Sequence, residues 1–254
     1  DALPICETGI ILSLADKIDN LIGCFAVGLK PTSSSDPYAL RRQTLGIIRI
    51  LIQNKLSLPL ESILNDCLNN FPEEIKKRNP NILKEIKEFI TNRIKTVFID
   101  YDVKKDEIEA TVSSGIDDIY DAYCKVISLH EFRKSNDKFL PLFEVYKRAK
   151  GQIANKNANE FSESLLKEEA EISLHNNLKE TQSSFNKAIC TNNYSLAYTI
   201  LAETQPSLAK LFDEVKILAD DESVRNNRLA LLNQVFERFS TLLDFDKIQE
   251  MNLG

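Results

Sequence analysis

Apolar side chains recur at Ile11, Leu14, Ala15, Ile18, Ile22 and Phe25, spacings that place them on one stripe of a helix over residues 8–28. The stretch GLKPTSSSDP, residues 28–37, then supplies one glycine, two prolines and three serines, and is the clearest loop in the chain. A second helix is predicted from about Pro37, with Asp36 as its N-cap and proline at its first position, running through ALRRQTLGIIRILIQ to about Asn54. Residues 59–68 form a third helix, and the polar, proline-containing residues 71–80 connect it to the next. Ile82, Ile86, Phe89, Ile90, Ile94 and Val97 mark a long helix ending near Asp100. Shorter helices follow at 104–112 and 116–128, the latter capped by Ser114 or Gly115. Beyond Asn136 the pattern predicts a helix at 137–155, a polar break ANKNANEFS at 154–162, and two or three helices over 165–191, 194–203 and 206–218. A last helix begins after Asp220-Asp221 and carries Leu232, Phe236, Phe239 and Leu243 at spacings of four, three and four. No sustained two-residue alternation interrupts these stripes. The expected fold is all-α, a helical body followed by a C-terminal helical bundle.

Composition agrees with that pattern. Only 7 of 254 residues are glycine and 8 are proline, so turn-makers are too few for many short elements. Hydrophobic residues make up 43% and charged residues 28%, which suits a globular chain with buried cores. The apolar run from Gly9 to Val27 is interrupted by Asp16, Lys17 and Asp19, so it is no membrane span. Neither a membrane partner nor a signal peptide is indicated. The chain opens on Asp1 and its single methionine is Met251, so it is read as a piece of a longer protein.

Charge narrows the choice of partners. The net charge of −6 weighs against whole-molecule attraction to nucleic acid and leaves only local basic patches. Residues 1–36 carry 2 basic and 5 acidic side chains, 37–135 carry 16 and 15, and 136–254 carry 14 and 18. Three clusters stand out: Arg41, Arg42 and Arg49; Lys147, Arg148 and Lys150; and Arg225 with Arg228 in SVRNNRLALL, flanked by Asn226 and Asn227. Each is either a phosphate-facing patch or a solvated, bracing helix face. Arg225 and Arg228, three apart, share a face, and Asp220, Asp221 and Glu222 before them suit the positive end of a helix dipole.

Enzymatic motifs are absent. There is no glycine-rich phosphate loop and no G-x-S-x-G elbow. His130 and His175 are far apart, and Cys6, Cys24, Cys67, Cys124 and Cys190 contain no CxxC pair. That spacing argues against a zinc site and for free, mostly buried thiols in a reducing compartment. Asp16 and Asp19, at i and i+3, are either a metal-facing pair or local ion-pair partners. No complete active site and no metal site is expected.

The run LADKIDNLIGCFAVGLKPTSSSDPYALRRQTLGIIRILI, residues 14–52, resembles the beta subunit of the bacterial-type tetrameric glycyl-tRNA synthetase. VKILADDESVRNNRLALL, residues 215–232, is similar to the closing helix of that subunit's DALR-type anticodon-binding domain, and KRAKGQIANK, 147–156, to a second stretch of it. The resemblance implies three parts: 1–36 as the tail of an HD-like domain with Asp16 as its last acid, 37–135 as a helical body, and 136–254 as the anticodon-binding bundle. It implies a cytoplasmic ligase component that binds tRNA-Gly and a catalytic alpha subunit or fused alpha region. Glycine activation, with its ATP and Mg, would reside outside this piece, which itself takes no cofactor.

On that reading the RNA-binding candidates are Arg225, Arg228, Asn227, Lys147, Arg148, Lys150, Arg41 and Arg42, with Tyr146 and Phe161 as candidate exposed stacking rings. Two alternatives remain at this point. One is the remnant of an HD-type metal phosphohydrolase, resting on Asp16; the other is a helical scaffold that docks a catalytic subunit.

Overall fold

The computed structural model describes residue 4 and residues 6–113, 115–134, 136–153 and 160–249. Among the described residues there are eleven α-helices, two 3-10 turns and no strand, so the fold is all-α. The chain divides into two compact units, Asp1–Tyr123 and Cys124–Gly254.

In the first unit, α1 (Glu7–Ala26) packs on α2 (Leu40–Gln53), α3 (Leu60–Asn69) and α5 (Ile82–Ile99). Most of the predicted stripe is the reason, although Ile11, 67% exposed, and Ala15 lie outside the buried face. Leu14, Ile18, Leu21, Ile22 and Phe25 of α1 are buried, as are Ile47, Ile48 and Leu51 of α2 and Ile86, Ile90 and Ile94 of α5. Leu21, Ile22, Ile48, Ile86 and Ile94 have no exposed surface at all. Each such aliphatic side chain contributes roughly 1.5–3 kcal/mol by leaving water. The helix α6 (Lys105–Val112) packs on α5. The second unit holds most of α7 (Ile119–Lys134), then α8 (Asn136–Ile153), α9 (Glu169–Cys190), α10 (Tyr194–Glu214) and α11 (Glu222–Leu242). Here α10 lies against α9 and α8, and α11 against α8.

Several boundaries differ from the periodic pattern, α7 for one running from Ile119 to Lys134 rather than over 116–128. The second helix starts at Leu40 rather than Pro37, because Ala39 takes a left-handed conformation (φ 54°) that breaks the helical run. Asp36 still caps it, its carboxylate accepting from the backbone N–H of Leu40 at 2.9 Å and of Arg41 at 3.0 Å across the turn. The connection 71–80 contains a short helix, α4 (Glu73–Arg78), entered through Pro72, whose fixed φ suits a helix start. The helix after residue 116 is not capped by Gly115, which lies outside it at φ 88°; the Asp118 side chain accepts from Asp121 N at 3.0 Å instead. Ser114, the other predicted cap, lies outside the described residues.

The predicted helices 194–203 and 206–218 are one helix, α10, with Pro206 inside it. An internal proline costs about 3 kcal/mol. The helix continues because Ile200, Leu201, Thr204, Leu208 and Leu211 are buried on both sides of it. The polar break at 154–162 falls largely on residues 154–159, outside the described set. The thiols also differ from expectation. Cys6, at the N-cap of α1, and Cys190 are exposed, and Cys24, Cys67 and Cys124 are half-buried.

Three helices end on the same two-bond motif, in which a left-handed residue lets the chain turn back. At the end of α1, Gly28 N–H donates to Phe25 O and Leu29 N–H to Cys24 O. Lys55 and Asn192 repeat the pattern after α2 and α9, with φ of 54° and 52°. Gly28 sits at φ 83°, where a Cβ is strained. Gly28→Ala is therefore expected to lower unfolding free energy by about 1 kcal/mol, and Lys55→Gly to raise it by up to about 1 kcal/mol. Urea titrations of both variants check the pair; shifts of the same sign would refute the backbone argument.

Candidate nucleic-acid interface

The third basic cluster begins at a well-formed helix start. Asp221 is the N-cap of α11, its Oδ1 accepting from Ser223 N at 2.9 Å and Val224 N at 3.2 Å. Those two bonds hold the Asp221 carboxyl below its usual range. From there the shared face of Arg225 and Arg228 separates into two fates.

Arg228 is buried, 8% exposed, and its Nε donates to the carboxylate of Glu171, itself 1% exposed. Its Nη1 donates to Lys216 O at 2.9 Å, and its Nη2 lies 3.9 Å from Glu168. Burial pushes the Glu171 carboxyl up. Backbone bonds from Glu168 N (2.9 Å) and Lys167 N (2.8 Å), together with Arg228, outweigh that and hold it below the usual range. Asn227 is also buried, and its Oδ1 accepts from Ser162 N at 2.7 Å. Both side chains are committed to the interior. Arg225 is half-buried, and its Nη1 donates to Ala219 O at 3.1 Å.

The second cluster also divides. Arg148 is exposed, pairs with Asp213 at 3.0 Å, and lies 4.9 Å over the Phe212 ring. Lys147 is exposed with its Nζ 4.7 Å from the Phe143 ring centre. Lys150, half-buried, is ion-paired to Asp246. The connection from α10 to α11 is thus held by three arginines: Arg148 at Asp213, Arg228 at Lys216 and Arg225 at Ala219. Of these, Arg148 is exposed, Arg225 half-buried and Arg228 buried.

The first cluster belongs to the first unit. Arg41 donates to Thr32 O and tightens the 28–37 loop, Arg42 is exposed, and Arg49 pairs with Asp100 at 3.3 Å. Asp16 and Asp19 are exposed, and Asp16 accepts from Asn20 at 3.4 Å. Among the described residues no three His, Cys, Asp or Glu side chains gather as a metal-ligand set, and no helix is long and apolar enough to cross a membrane.

The candidate stacking rings correct one expectation. Tyr146 is not exposed: it is 3% accessible, packed on Phe236, Phe239 and Phe245, and its hydroxyl donates to Asp246 at 2.8 Å. Burial, and the Asp246 charge after it, raise the Tyr146 phenol well above its ordinary value. Phe161 is half-buried against His175, ring centres 5.0 Å apart. Tyr146→Phe is expected to cost about 1 kcal/mol of stability, the lost hydrogen bond, and to leave RNA affinity unchanged. Weaker RNA binding at unchanged stability would put Tyr146 back among the contacts.

The sequence reading passed over two buried cations, Arg133 and Arg238. Arg238 of α11 is 4% exposed, although it sits three after Val235 and four before Leu242, both buried. A charge at an apolar position of a stripe was the available signal. Its guanidinium donates to Leu178 O, to Thr181 Oγ1 at 2.8 Å and to Gln182 Oε1 at 3.0 Å, over the Phe185 ring at 5.2 Å.

Two family models match the chain in sequence order. Residues 1–113 match the glycyl-tRNA synthetase beta subunit, and residues 143–251 match the DALR anticodon binding domain. Among curated proteins, the glycine–tRNA ligase beta subunit of Clostridioides difficile (strain 630) is 34% identical over 248 residues, covering 98% of this chain. That of Syntrophomonas wolfei is 34% identical over 253 residues, and that of Geobacter sp. (strain M21) 35% over 246. The matched region spans 36% of the length of each of these relatives.

Proposed function

From the premise that this chain belongs to the glycyl-tRNA synthetase beta-subunit family, we propose that its second unit binds the anticodon arm of tRNA-Gly and so serves ATP-dependent attachment of glycine to that tRNA. The observation that carries the reading is a coincidence of position. The DALR match at 143–251 falls within the compact helical unit 124–254, which carries the exposed cations Lys147 and Arg148 and the half-buried Arg225 near the α10–α11 connection. Arg and Lys neutralise phosphates, which makes such binding salt-dependent, and unstacked loop bases are read on their edges by amide and guanidinium groups. Arg228 and Asn227 act as bracing residues in this reading, and Arg41 and Arg42 of the first unit are at most auxiliary phosphate contacts. Glycine activation, with its ATP and Mg, belongs to the alpha subunit or an alpha-like region. In this reading the whole operates in the cytoplasm.

The test compares tRNA-Gly with the same tRNA carrying a changed anticodon, at low and at moderate salt. One lost base-edge contact is worth roughly 1–3 kcal/mol, so the changed tRNA is expected to bind about 5- to 150-fold more weakly. Both affinities should fall with salt. Equal affinities at both salt concentrations would sink the anticodon reading.

A further inference from the structure

On the second unit, α9 and α11 enclose an open groove of about 500 Å3 whose lining includes Gln182, Phe185, Asn186, Cys190, Glu237 and Arg238. The volume lies in the range of small-ligand clefts, roughly 300–1,000 Å3. Arg238 forms its inner wall. All three of its described acceptors are neutral, so a buried positive charge meets the groove without a carboxylate on it. An unbalanced buried charge is costly, and a protein retains one more readily where a ligand or a wet surface shares its field.

The polar groups in front of Arg238 form a directed chain. Gln182 accepts from Arg238 through Oε1 and donates through Nε2 to Asn186 Oδ1 at 2.8 Å. Both ends of the Gln182 amide are therefore engaged, and the Asn186 amide N–H groups are what the chain presents outward. Each bond polarises the next, strengthening Asn186 as a donor. Across the groove Glu237 offers an exposed carboxylate. The groove thus presents amide donors and a carboxylate acceptor together. A phosphate would satisfy the donors but be repelled by Glu237. A nucleobase that carries an exocyclic amine beside a carbonyl or ring nitrogen satisfies both.

We infer that this groove is the pocket for one unpaired nucleobase of a loop RNA, with Asn186 donating to the base edge, Glu237 accepting from its amine, and Arg238 a positioning residue that orients the Gln182–Asn186 chain. The inference rests on the RNA-binding reading above and gives it a place on the unit distinct from the Lys147, Arg148 and Arg225 cations.

Cys190, exposed at the rim of the same groove, supplies a local reporter. The 254-residue chain is alkylated with iodoacetamide with and without the anticodon stem–loop hairpin of tRNA-Gly, and Cys190 and Cys6 are followed by peptide mass spectrometry. Hairpin affinity is measured in parallel for Asn186→Ala and Glu237→Gln, two exposed side chains whose loss is not expected to lower the Tm. The expected result is slowed alkylation of Cys190 but not of Cys6, and about 10-fold weaker hairpin binding by each variant. Wild-type hairpin binding with unprotected Cys190 and unchanged variant affinities would overturn the pocket and leave the RNA-binding reading standing. Protection of Cys190 by inorganic phosphate alone would overturn the base in favour of an anion. Absence of any hairpin binding would overturn both.

Discussion

Arg228→Ala is expected to destabilise the second unit by about 3–5 kcal/mol, seen as a large fall in Tm, because it strands a buried carboxylate. Glu171 is 1% exposed and its Oε2 is already engaged by Lys167 N and Glu168 N. Removing the guanidinium leaves Oε1 charged, dry and without a cation, and it also releases Lys216 O at the α10–α11 connection. Replacing both partners by apolar residues is expected to cost far less than removing one, since the penalty comes from the orphaned charge and not from the loss of the pair. A double variant as unstable as Arg228→Ala would show that the contribution comes from packing.

The same pair sets a pH dependence. The Glu171 carboxyl is held below its unfolded value in the folded chain. Its contribution is therefore complete above the unfolded carboxylate pKa, about 4.3, and is lost as pH falls through the lower folded value. Stability of the wild-type unit should fall in that acidic window, and Glu171→Gln should flatten this part of the curve. A Glu171→Gln curve parallel to wild type down to pH 3 would remove Glu171 as the cause.

The second large effect is on binding. Lys147→Ala, Arg148→Ala and Arg225→Ala combined are expected to weaken tRNA-Gly binding on the order of 100-fold near 0.1 M salt, and to lower the slope of log affinity against log salt by about 2. Each phosphate contact on a single strand carries about 0.7 of that slope, and three contacts give both figures. Arg148 gives up its exposed bridge to Asp213, worth at most about 1 kcal/mol, and Arg225 its bond to Ala219 O, worth about 1 kcal/mol, so the Tm should fall much less than for Arg228→Ala. Arg228→Ala and the triple variant are thus opposites, the first losing fold and the second losing affinity. A triple variant with unchanged salt slope would place the RNA elsewhere.

Much of the fold was legible because helices announce themselves locally. The stripe Ile82, Ile86, Ile90, Ile94 maps onto α5 and its buried face, and Asp221 caps α11 where the acid cluster put it. Pro206 was misread for a local reason: the sequence shows the lost hydrogen bond but not the buried apolar face that holds α10 together. The start of α2 was misread similarly, since Asp36 caps from across a turn that only the left-handed Ala39 creates.

For the candidate interface the limit is sharper. Spacing put Arg225 and Arg228 on one face of one helix, and that is correct. It could not tell them apart, because the difference lies in Glu171, 57 residues before Arg228 in the chain, and in whether a long side chain turns inward to it or outward to water. Tyr146 was sent to the surface by its cationic neighbours, yet Phe236, Phe239 and Phe245, roughly ninety to a hundred residues on, bury its ring. Sequence by itself determined most of the helices and much of their buried stripes, since these depend on residues three and four apart. Only the tertiary structure decided which cations brace the bundle and which face the solvent, because a charge's fate is set by the partner and the desolvation that packing brings to it.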